Sequence, residues 1–82
     1  MYYVYVLRSK GNGKRYVGFT GKSPDQRLLE HNEGKNQSTR SNRPYDLIYF
    51  EQHESEEFAR KRERYFKTGH GRAYLNRMFL EV

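Results

Sequence analysis

YYVYVLRSKGNGKRYVGFT, residues 2–20, carries the strongest signal for the architecture of this chain. Residues 2–7 and 15–20 are dominated by aromatic and β-branched side chains, which predicts two β-strands. Asn12-Gly13, in the polar segment between them, is a strong signal for a tight turn. The two strands are therefore expected to form an antiparallel hairpin.

A first helix is predicted directly after the hairpin. Ser23 suits the N-cap and Pro24 the first helical position, while Gln26 can close a capping box onto Ser23. The helix is expected to end near Gly34, a natural C-terminal cap. Residues 34–44 are polar, without a periodic apolar pattern, and are interpreted as an exposed basic loop.

A third strand and two more helices complete the prediction. Residues 45–51 are rich in aliphatic and aromatic side chains, which indicates the strand. Ser55 can cap a second helix that extends to about Lys67. Gly69-His70-Gly71 is expected to break it, and residues 72–80 to form a short final helix. The order β-β-α-β-α-α predicts an α/β (more strictly α+β) fold, a small three-stranded antiparallel sheet flanked by helices.

Length and composition agree with one small folded domain. A chain of 82 residues has room for a single thin core, so residues 1–82 are expected to form one domain. Hydrophobic residues make up only 34%, but eight Tyr and five Phe distinguish the chain from a disordered segment. The absence of Cys excludes disulfides, thiolate metal sites and a Cys nucleophile.

Charge and hydropathy bear on partners and location. The net charge of +6 suits a polyanion such as nucleic acid, although a charge of this size is also ordinary for solubility. No run approaches the roughly 20 apolar residues of a membrane span, so no membrane partner is expected. Residues 1–8 lack a basic start and a cleavage site and are interpreted as a strand rather than a signal peptide. These features predict a cytoplasmic protein.

The second helix carries a carboxylate at the edge of its apolar face. At about 100° per residue, the apolar arc consists of Phe58, Ala59, Tyr65 and Phe66. Glu63 lies just beside this arc, where it could hold Mg²⁺, a cation that usually takes one or two carboxylates and keeps several waters. The same spacing is explained if Glu63 is an ordinary boundary residue that pairs with Lys67, four positions later.

Arg27 and His31 are four residues apart and share a face of the first helix, away from Leu28. Arg presents a planar fork that matches phosphate oxygens, and His can move a proton near neutral pH. Such a pair is also common on solvated helices, so it does not establish a site by itself.

Tyrosine hydroxyls are expected to gather on one face of the hairpin. Alternation places Tyr3 and Tyr5 on the face opposite to Val4 and Val6, and Tyr16 of the second strand joins them. A buried Tyr hydroxyl normally needs a hydrogen-bond partner, which suggests a polar site. Cross-strand aromatic packing alone accounts for the rings equally well.

Together these landmarks resemble the GIY-YIG nuclease domain, and most of all its small stand-alone members. Tyr3-Val4-Tyr5 stands where the family often has Gly-Ile-Tyr, and Tyr16-Val17-Gly18 resembles the second signature after an interval of ten residues. Arg27 and His31 match the helix that follows. Residues 59–67 resemble the family's helix with a metal-binding Glu, and the resemblance covers nearly the whole chain.

The resemblance implies a metal-dependent endonuclease that hydrolyses phosphodiester bonds in DNA with little sequence specificity, in repair or recombination. Glu63 would be the protein ligand of Mg²⁺ or Mn²⁺, with no small-molecule cofactor. Arg27 would offset the charge that builds on the phosphate in the transition state. Tyr5 or Tyr16, aided by His31, would position or deprotonate the attacking water.

Some positions depart from the family pattern. Tyr3 replaces the usual Gly of the first signature, and Phe19 stands where some relatives place a Lys. Asn76 is a candidate for the Asn found late in the family's domain. Gly18 keeps the family residue, and would let the backbone approach the substrate or a helix.

Basic surface residues are expected to bind DNA through its phosphates without reading sequence. They are Arg8, Lys10, Lys14, Lys35, Arg40, Arg43 and the outer face of the second helix, including Lys67. The principal alternative is a module of the same fold that binds nucleic acid without cutting it. A protein–protein adaptor whose charge serves only solubility is a third hypothesis. The intact set of Tyr, Arg and Glu favours the nuclease.

Overall fold

A computed structural model of the chain describes residues 1–79. Their elements are β1 (Tyr2–Ser9), β2 (Arg15–Thr20), α1 (Pro24–Asn32), a 3-10 turn (Arg40–Asn42), β3 (Tyr45–His53), α2 (Glu56–Phe66) and α3 (Gly69–Met78). The strands form one antiparallel sheet in the order β2-β1-β3. The predicted fold, a three-stranded antiparallel sheet with helices in the order β-β-α-β-α-α, is confirmed.

The second strand has its predicted bounds, Arg15–Thr20, whereas the first and third strands are longer than predicted. β1 extends to Ser9 and β3 to His53, because strand pairing continues from Tyr2 opposite His53 to Ser9 opposite Tyr45. Of the helices that the structure describes, none is long and apolar enough to cross a bilayer.

The Gly69-His70-Gly71 segment that was expected to break the second helix is instead the first turn of α3. α3 begins at Gly69 because the Thr68 hydroxyl caps it by accepting a hydrogen bond from the Gly71 N–H. Leu80, the predicted last residue of this helix, lies outside the described residues.

The central strand β1 is covered on both faces, as the alternation of its residues predicts. On one face a cluster against α2 and α3 consists of Val4, Val6, Ala59, Phe66 and Leu75. On the other, facing α1, the buried residues are Tyr5, Leu7 and Tyr45. The hairpin therefore supplies two separate small cores rather than one.

The apolar arc predicted for α2 is only half right. Ala59 and Phe66 are buried, but Phe58 is 54% exposed and Tyr65 38% exposed. The stripe of α2 that faces the sheet contains Arg62 between the two buried residues, with its guanidinium 4.4 Å from the Phe66 ring centroid. Because this long side chain fills the contact, the flanking aromatics lie at the rim.

Gly71 should tolerate no side chain, whereas Gly69 in the same turn should. A Cβ on Gly71 would overlap the Tyr65 carbonyl and the Phe66 backbone at the α2–α3 crossing, while a Cβ on Gly69 would meet nothing within 4 Å. We expect Gly71→Ala to lower the free energy of unfolding by about 2 kcal/mol or more, and Gly69→Ala to change it by less than about 0.5 kcal/mol. Urea unfolding of both variants checks this, and equal stabilities would contradict the close packing of α3 on α2.

Candidate active site

Tyr5 of β1 lies over the neighbouring strand because Gly18 has no side chain. The two residues are directly opposite in the β1–β2 register, and a Cβ on Gly18 would overlap the phenol ring and its oxygen. The Tyr5 side chain is therefore 1% exposed and directed across β2. Gly18 was expected to let the backbone approach the substrate or a helix. In the structure, its missing side chain instead leaves space for the Tyr5 ring.

His31 of α1 is held between two hydroxyl groups. Its Nε2 is 2.9 Å from the Tyr5 hydroxyl, and its Nδ1 is 2.7 Å from Thr39 Oγ1. The side chain is completely buried, whereas Leu29 on the same helix is 59% exposed. The expectation that Arg27 and His31 point away from Leu28 is thus wrong for His31, since Leu28 packs on the same side of α1, against the Tyr5 cluster.

The loop after α1 contributes to this arrangement. Residues 34–44 were expected to be exposed, but Thr39 is 1% exposed and contacts His31. The Thr39 hydroxyl donates to the Asn36 carbonyl at 3.4 Å, so it accepts from His31 Nδ1–H. We infer from this pattern that His31 Nε2 accepts the hydrogen bond of the Tyr5 hydroxyl.

The Arg27 guanidinium also acts on the Tyr5 hydroxyl, through hydrogen bonding and through its positive charge. Burial raises the pKa of Tyr5 above its ordinary value, and the Arg27 guanidinium only partly opposes this. Tyr5 thus remains a neutral phenol that joins Arg27 to His31. Its hydrogen-bonding capacity is used within the protein.

Arg27 has a second partner on its own helix. Its guanidinium forms an ion pair with Glu30, whose other oxygen lies 3.1 Å from Lys22 Nζ. The hydrogen bonds from Lys22 and Arg27 lower the pKa of Glu30. The Arg27 side chain is still 24% exposed, so its remaining donors can reach a ligand.

Tyr16 of β2 lies beside this group without a hydrogen bond. Its ring centroid is 5.1 Å from that of His31 and 6.4 Å from that of Tyr5. Within residues 1–79, the Tyr16 hydroxyl has no hydrogen-bond partner, and the side chain is only partly buried. Of the two signature tyrosines, Tyr16 is the one whose hydroxyl is free to contact a ligand.

Glu63 approaches from α2, on the opposite face of the sheet. α2 packs on β2, where the Arg60 guanidinium lies 4.3 Å from the Phe19 ring centroid. The negative charge of Glu63 contributes to the raised pKa of Tyr5, behind burial and the influence of Tyr16, so the carboxylate is within electrostatic range of the hydroxyl. Glu63 is 20% exposed and pairs with Lys67 Nζ at 3.0 Å, the pairing that the sequence allowed as an alternative.

The residue before Glu63 fixes α2 to the sheet. Arg62 forms two hydrogen bonds to Glu51 of β3, at 3.0 and 2.6 Å. Glu51 also accepts from the Tyr49 hydroxyl at 2.6 Å and lies 3.0 Å from His53 Nε2. Burial alone would raise the pKa of Glu51, but these hydrogen bonds lower it to about 2. The result is a permanently charged, partly buried pair that sets the rotation of α2.

The residues predicted to bind phosphate fall into separate parts of the surface. Lys14 lies in the hairpin turn, and Arg8 is partly buried on β1. Lys35, Arg40 and Arg43 lie together on the loop after α1, where Arg40 donates to the Gly34 carbonyl. Lys67 is beside Glu63, as described above. Their binding role stays a prediction.

The donor set is compatible with a hard divalent cation. Within the described residues no three His, Asp or Glu side chains gather into a metal cluster. Mg²⁺ does not require one, because it commonly binds through one or two carboxylates and retains water. Glu63, a partly exposed carboxylate whose charge acts on the Tyr5 hydroxyl, fits this mode of binding.

Comparison with known proteins settles the family. The model of the GIY-YIG catalytic domain matches residues 1–76. The chain belongs to the GIY-YIG nuclease family. It is 34% identical over 68 residues to a UPF0213 protein of Staphylococcus saprophyticus, a match that covers 82% of this chain and 80% of that protein. A UPF0213 protein of Staphylococcus haemolyticus is 37% identical with the same coverage, and no solved structure matches.

The GIY-YIG match extends over all five predicted catalytic residues and reaches Asn76. Asn76 accepts a hydrogen bond from Arg15 and so joins α3 to β2. Sequence reasoning missed Thr39 and the Glu51–Arg62 pair, for which no local pattern exists. It could have found Glu30, which stands three residues after Arg27 on the same helix.

Stability should depend on pH through His31. Burial, aided by the positive charge of Arg27, lowers the pKa of His31. Below the ordinary pKa of about 6.5, the unfolded chain therefore binds a proton that the folded chain does not. The free energy of unfolding should fall from pH 7 toward pH 5, by up to about 1.4 kcal/mol per unit.

Replacement of His31 should remove this dependence. We expect a flatter profile for His31→Gln over the same range in urea unfolding, and an unchanged one for His70→Gln, which alters an exposed His. Glu51 and Glu30 have lowered pKa values and titrate below this range. Equal slopes for all three proteins would show that His31 is not held neutral.

Proposed function

We propose that this GIY-YIG protein is a metal-dependent endonuclease that hydrolyses phosphodiester bonds in DNA. The observation that supports this most strongly is the gathering of Tyr5, His31 and Arg27, in which the Tyr5–His31 hydrogen bond is buried and Arg27 acts on the Tyr5 hydroxyl. Tyr16, whose hydroxyl has no hydrogen-bond partner within residues 1–79, lies beside them. These groups come from three elements and gather where Glu63 also exerts its charge. Such a set provides a cation that can stabilise charge on a phosphate, a phenol that can orient water and a carboxylate that can hold a metal ion.

Arg27 is suited to bind the scissile phosphate. Its planar donors match phosphate oxygens, and its hydrogen bond to the buried Tyr5 oxygen limits its movement. A positive charge held in place before the reaction stabilises the charge that develops on the phosphate. Glu30 balances this charge in the free protein and would share Arg27 with the incoming phosphate.

The two phenols have different parts in this proposal. Tyr5 has its hydrogen bonds satisfied by Arg27 and His31 and a raised pKa, which makes it a positioning residue rather than a base. Tyr16, whose hydroxyl has no hydrogen-bond partner among the described residues, is the better candidate to orient the attacking water. His31 connects Tyr5 to Thr39 and holds α1 at the required height above the sheet.

Glu63 would hold the divalent cation, Mg²⁺ or Mn²⁺. When bound, the ion supplies Lewis-acid stabilisation to the phosphate oxygen and the leaving alkoxide. The Lys67 ammonium that pairs with Glu63 would exchange its partner for a DNA phosphate. Action in repair or recombination, in the cytoplasm, and a single domain over residues 1–82 belong to the same proposal and follow from the family and the sequence alone.

Cleavage assays on supercoiled plasmid and on branched DNA test this function. In the presence of Mg²⁺ or Mn²⁺ the native protein should nick the substrate, and Glu63→Gln should reduce the rate by about 100-fold or more. Glu57→Gln removes an equal charge from an exposed position of the same helix and should leave the rate unchanged. Tyr16→Phe should lower the rate while DNA binding is retained.

Two results would contradict the nuclease proposal. Undiminished cleavage by Glu63→Gln would remove Glu63 from the reaction. Salt-sensitive DNA binding without cleavage by the native protein, with either metal ion, would replace the nuclease by the non-cutting module of the same fold.

DNA binding should depend steeply on salt. If the predicted basic residues neutralise four to six phosphates, the logarithm of affinity should fall with the logarithm of salt concentration with a slope of roughly −4 to −5. Arg40→Gln combined with Arg43→Gln should reduce this slope by about 2. Arg77→Gln, on the exposed side of α3, is the control and should leave it unchanged. Fluorescence anisotropy measures all three, and a slope near zero would contradict backbone binding.

A further inference from the structure

An aromatic pair lies on the sheet face that carries the candidate active site. The rings of Tyr3 and Phe50 have centroids 6.2 Å apart at an angle of 65°. Phe50 is 51% exposed, and neither residue belongs to the two buried clusters. Tyr3 and Phe50 are called the aromatic pair below.

The strand register places this pair next to the catalytic group. Phe50 of β3 is directly opposite Tyr5, and Tyr3 is two residues before Tyr5 on the same face of β1. Gly18 is opposite Tyr5 on the other side. Neighbouring strands are about 4.8 Å apart, so the backbone at Phe50 is roughly 10 Å from the backbone at Gly18. The Tyr5 phenol lies over Gly18.

Packing does not explain the exposure of Phe50. α1 covers the other end of this face, where Leu28 packs against the cluster of Leu7 and Tyr45. A half-exposed Phe gains little from burial at that position. The described exposed aromatics of α2 and α3 belong to the helices that cover the opposite face, so they offer no surface beside Tyr5.

The chemistry of the pair and of its neighbour points to a nucleic-acid strand. Arg27, with a partly exposed guanidinium that contacts Tyr5, offers a phosphate site next to the pair. Aromatic side chains stack with unpaired bases of any sequence, and a positively charged neighbour attracts the backbone. A base within a continuous duplex has both of its faces covered and cannot stack in this way.

We infer that the aromatic pair stacks with unpaired bases of the substrate strand, so that the protein prefers single-stranded or branched DNA to continuous duplex. This inference rests on the proposed function for its substrate class. It adds a source of selectivity that does not read sequence, since every base has a π-face.

Binding to matched oligonucleotides tests the inference. The probes are a labelled single strand of about 12 nucleotides, the same strand with abasic sites at its central positions, and its duplex. All measurements use Glu63→Gln protein without divalent metal, so that no probe is cut. Substitution of Phe50 by Ala or by Leu in this background should weaken binding to the single strand by roughly 5- to 100-fold. Binding to the abasic strand and to the duplex should stay within about twofold.

Conservative variants separate stacking from folding. Phe50→Tyr and Tyr3→Phe keep an aromatic ring and should retain single-strand affinity. Phe50→Leu keeps an apolar side chain of similar size, so a loss of affinity in a variant with an unchanged melting temperature reports the lost π-face. A 2-aminopurine base in the strand should be quenched by the native ring and not by Leu.

Three results would overturn the inference. They are equal losses of affinity for all probes, no loss of affinity for the single strand, and a native dimer that Phe50→Ala dissociates in sedimentation, which would make the surface an interface between copies.

Cleavage is measured separately, because it distinguishes failure of the stacking from failure of the nuclease proposal. A native protein that nicks DNA but binds single strand no better than duplex would contradict the stacking and leave the nuclease proposal standing. A native protein that binds single strand selectively but never cuts DNA would support the stacking and contradict the nuclease proposal.

Discussion

The hydrogen bond between the Tyr5 hydroxyl and His31 Nε2 connects the central strand to α1, and the arrangement of the candidate active site depends on it. Both groups are buried, so breaking the bond would leave an unsatisfied donor or acceptor. That would lower the free energy of unfolding by about 1–3 kcal/mol. Two features make the bond possible. Gly18 leaves space for the phenol above β2, and Thr39 satisfies the other nitrogen of His31. Arg27 is in turn held by the oxygen of the same phenol.

A second polar contact performs the corresponding task on the other face of the sheet. The Glu51–Arg62 pair fixes the rotation of α2, and Glu63 is the next residue along that helix. The two helices pack on opposite faces of one sheet, α1 mainly against β3 and α2 mainly against β1 and β2, so the sheet itself sets the distance between Arg27 and Glu63. A short chain with two small cores can hold such a site because each helix is anchored by a charged or hydrogen-bonded group as well as by apolar burial.

The same tyrosine serves both stability and the proposed chemistry. Tyr5 is a core residue with 1% exposure and also the acceptor that positions Arg27. Tyr16 has the opposite properties, since its ring is partly exposed and its hydroxyl has no hydrogen-bond partner within residues 1–79. The second signature thus carries the residue that can meet a ligand, and the first carries its support. Loss of activity at Tyr5 would therefore combine a packing defect with a displaced Arg27.

The hairpin, the alternation of Val and Tyr on β1, the Ser23 and Ser55 caps and the family could all be predicted from the amino-acid sequence. These are local signals, because strand periodicity, turn residues and caps depend on neighbours a few positions apart. Three features depend on the folded chain and could not be predicted: His31 is buried, Thr39 of the loop is buried against it, and Arg62 rather than Phe58 faces the sheet. The decisive partners are 26 residues apart for Tyr5 and His31 and 11 apart for Glu51 and Arg62. Which side of a helix is buried depends on the groups that the rest of the chain brings to meet it, and helical spacing alone does not contain that information.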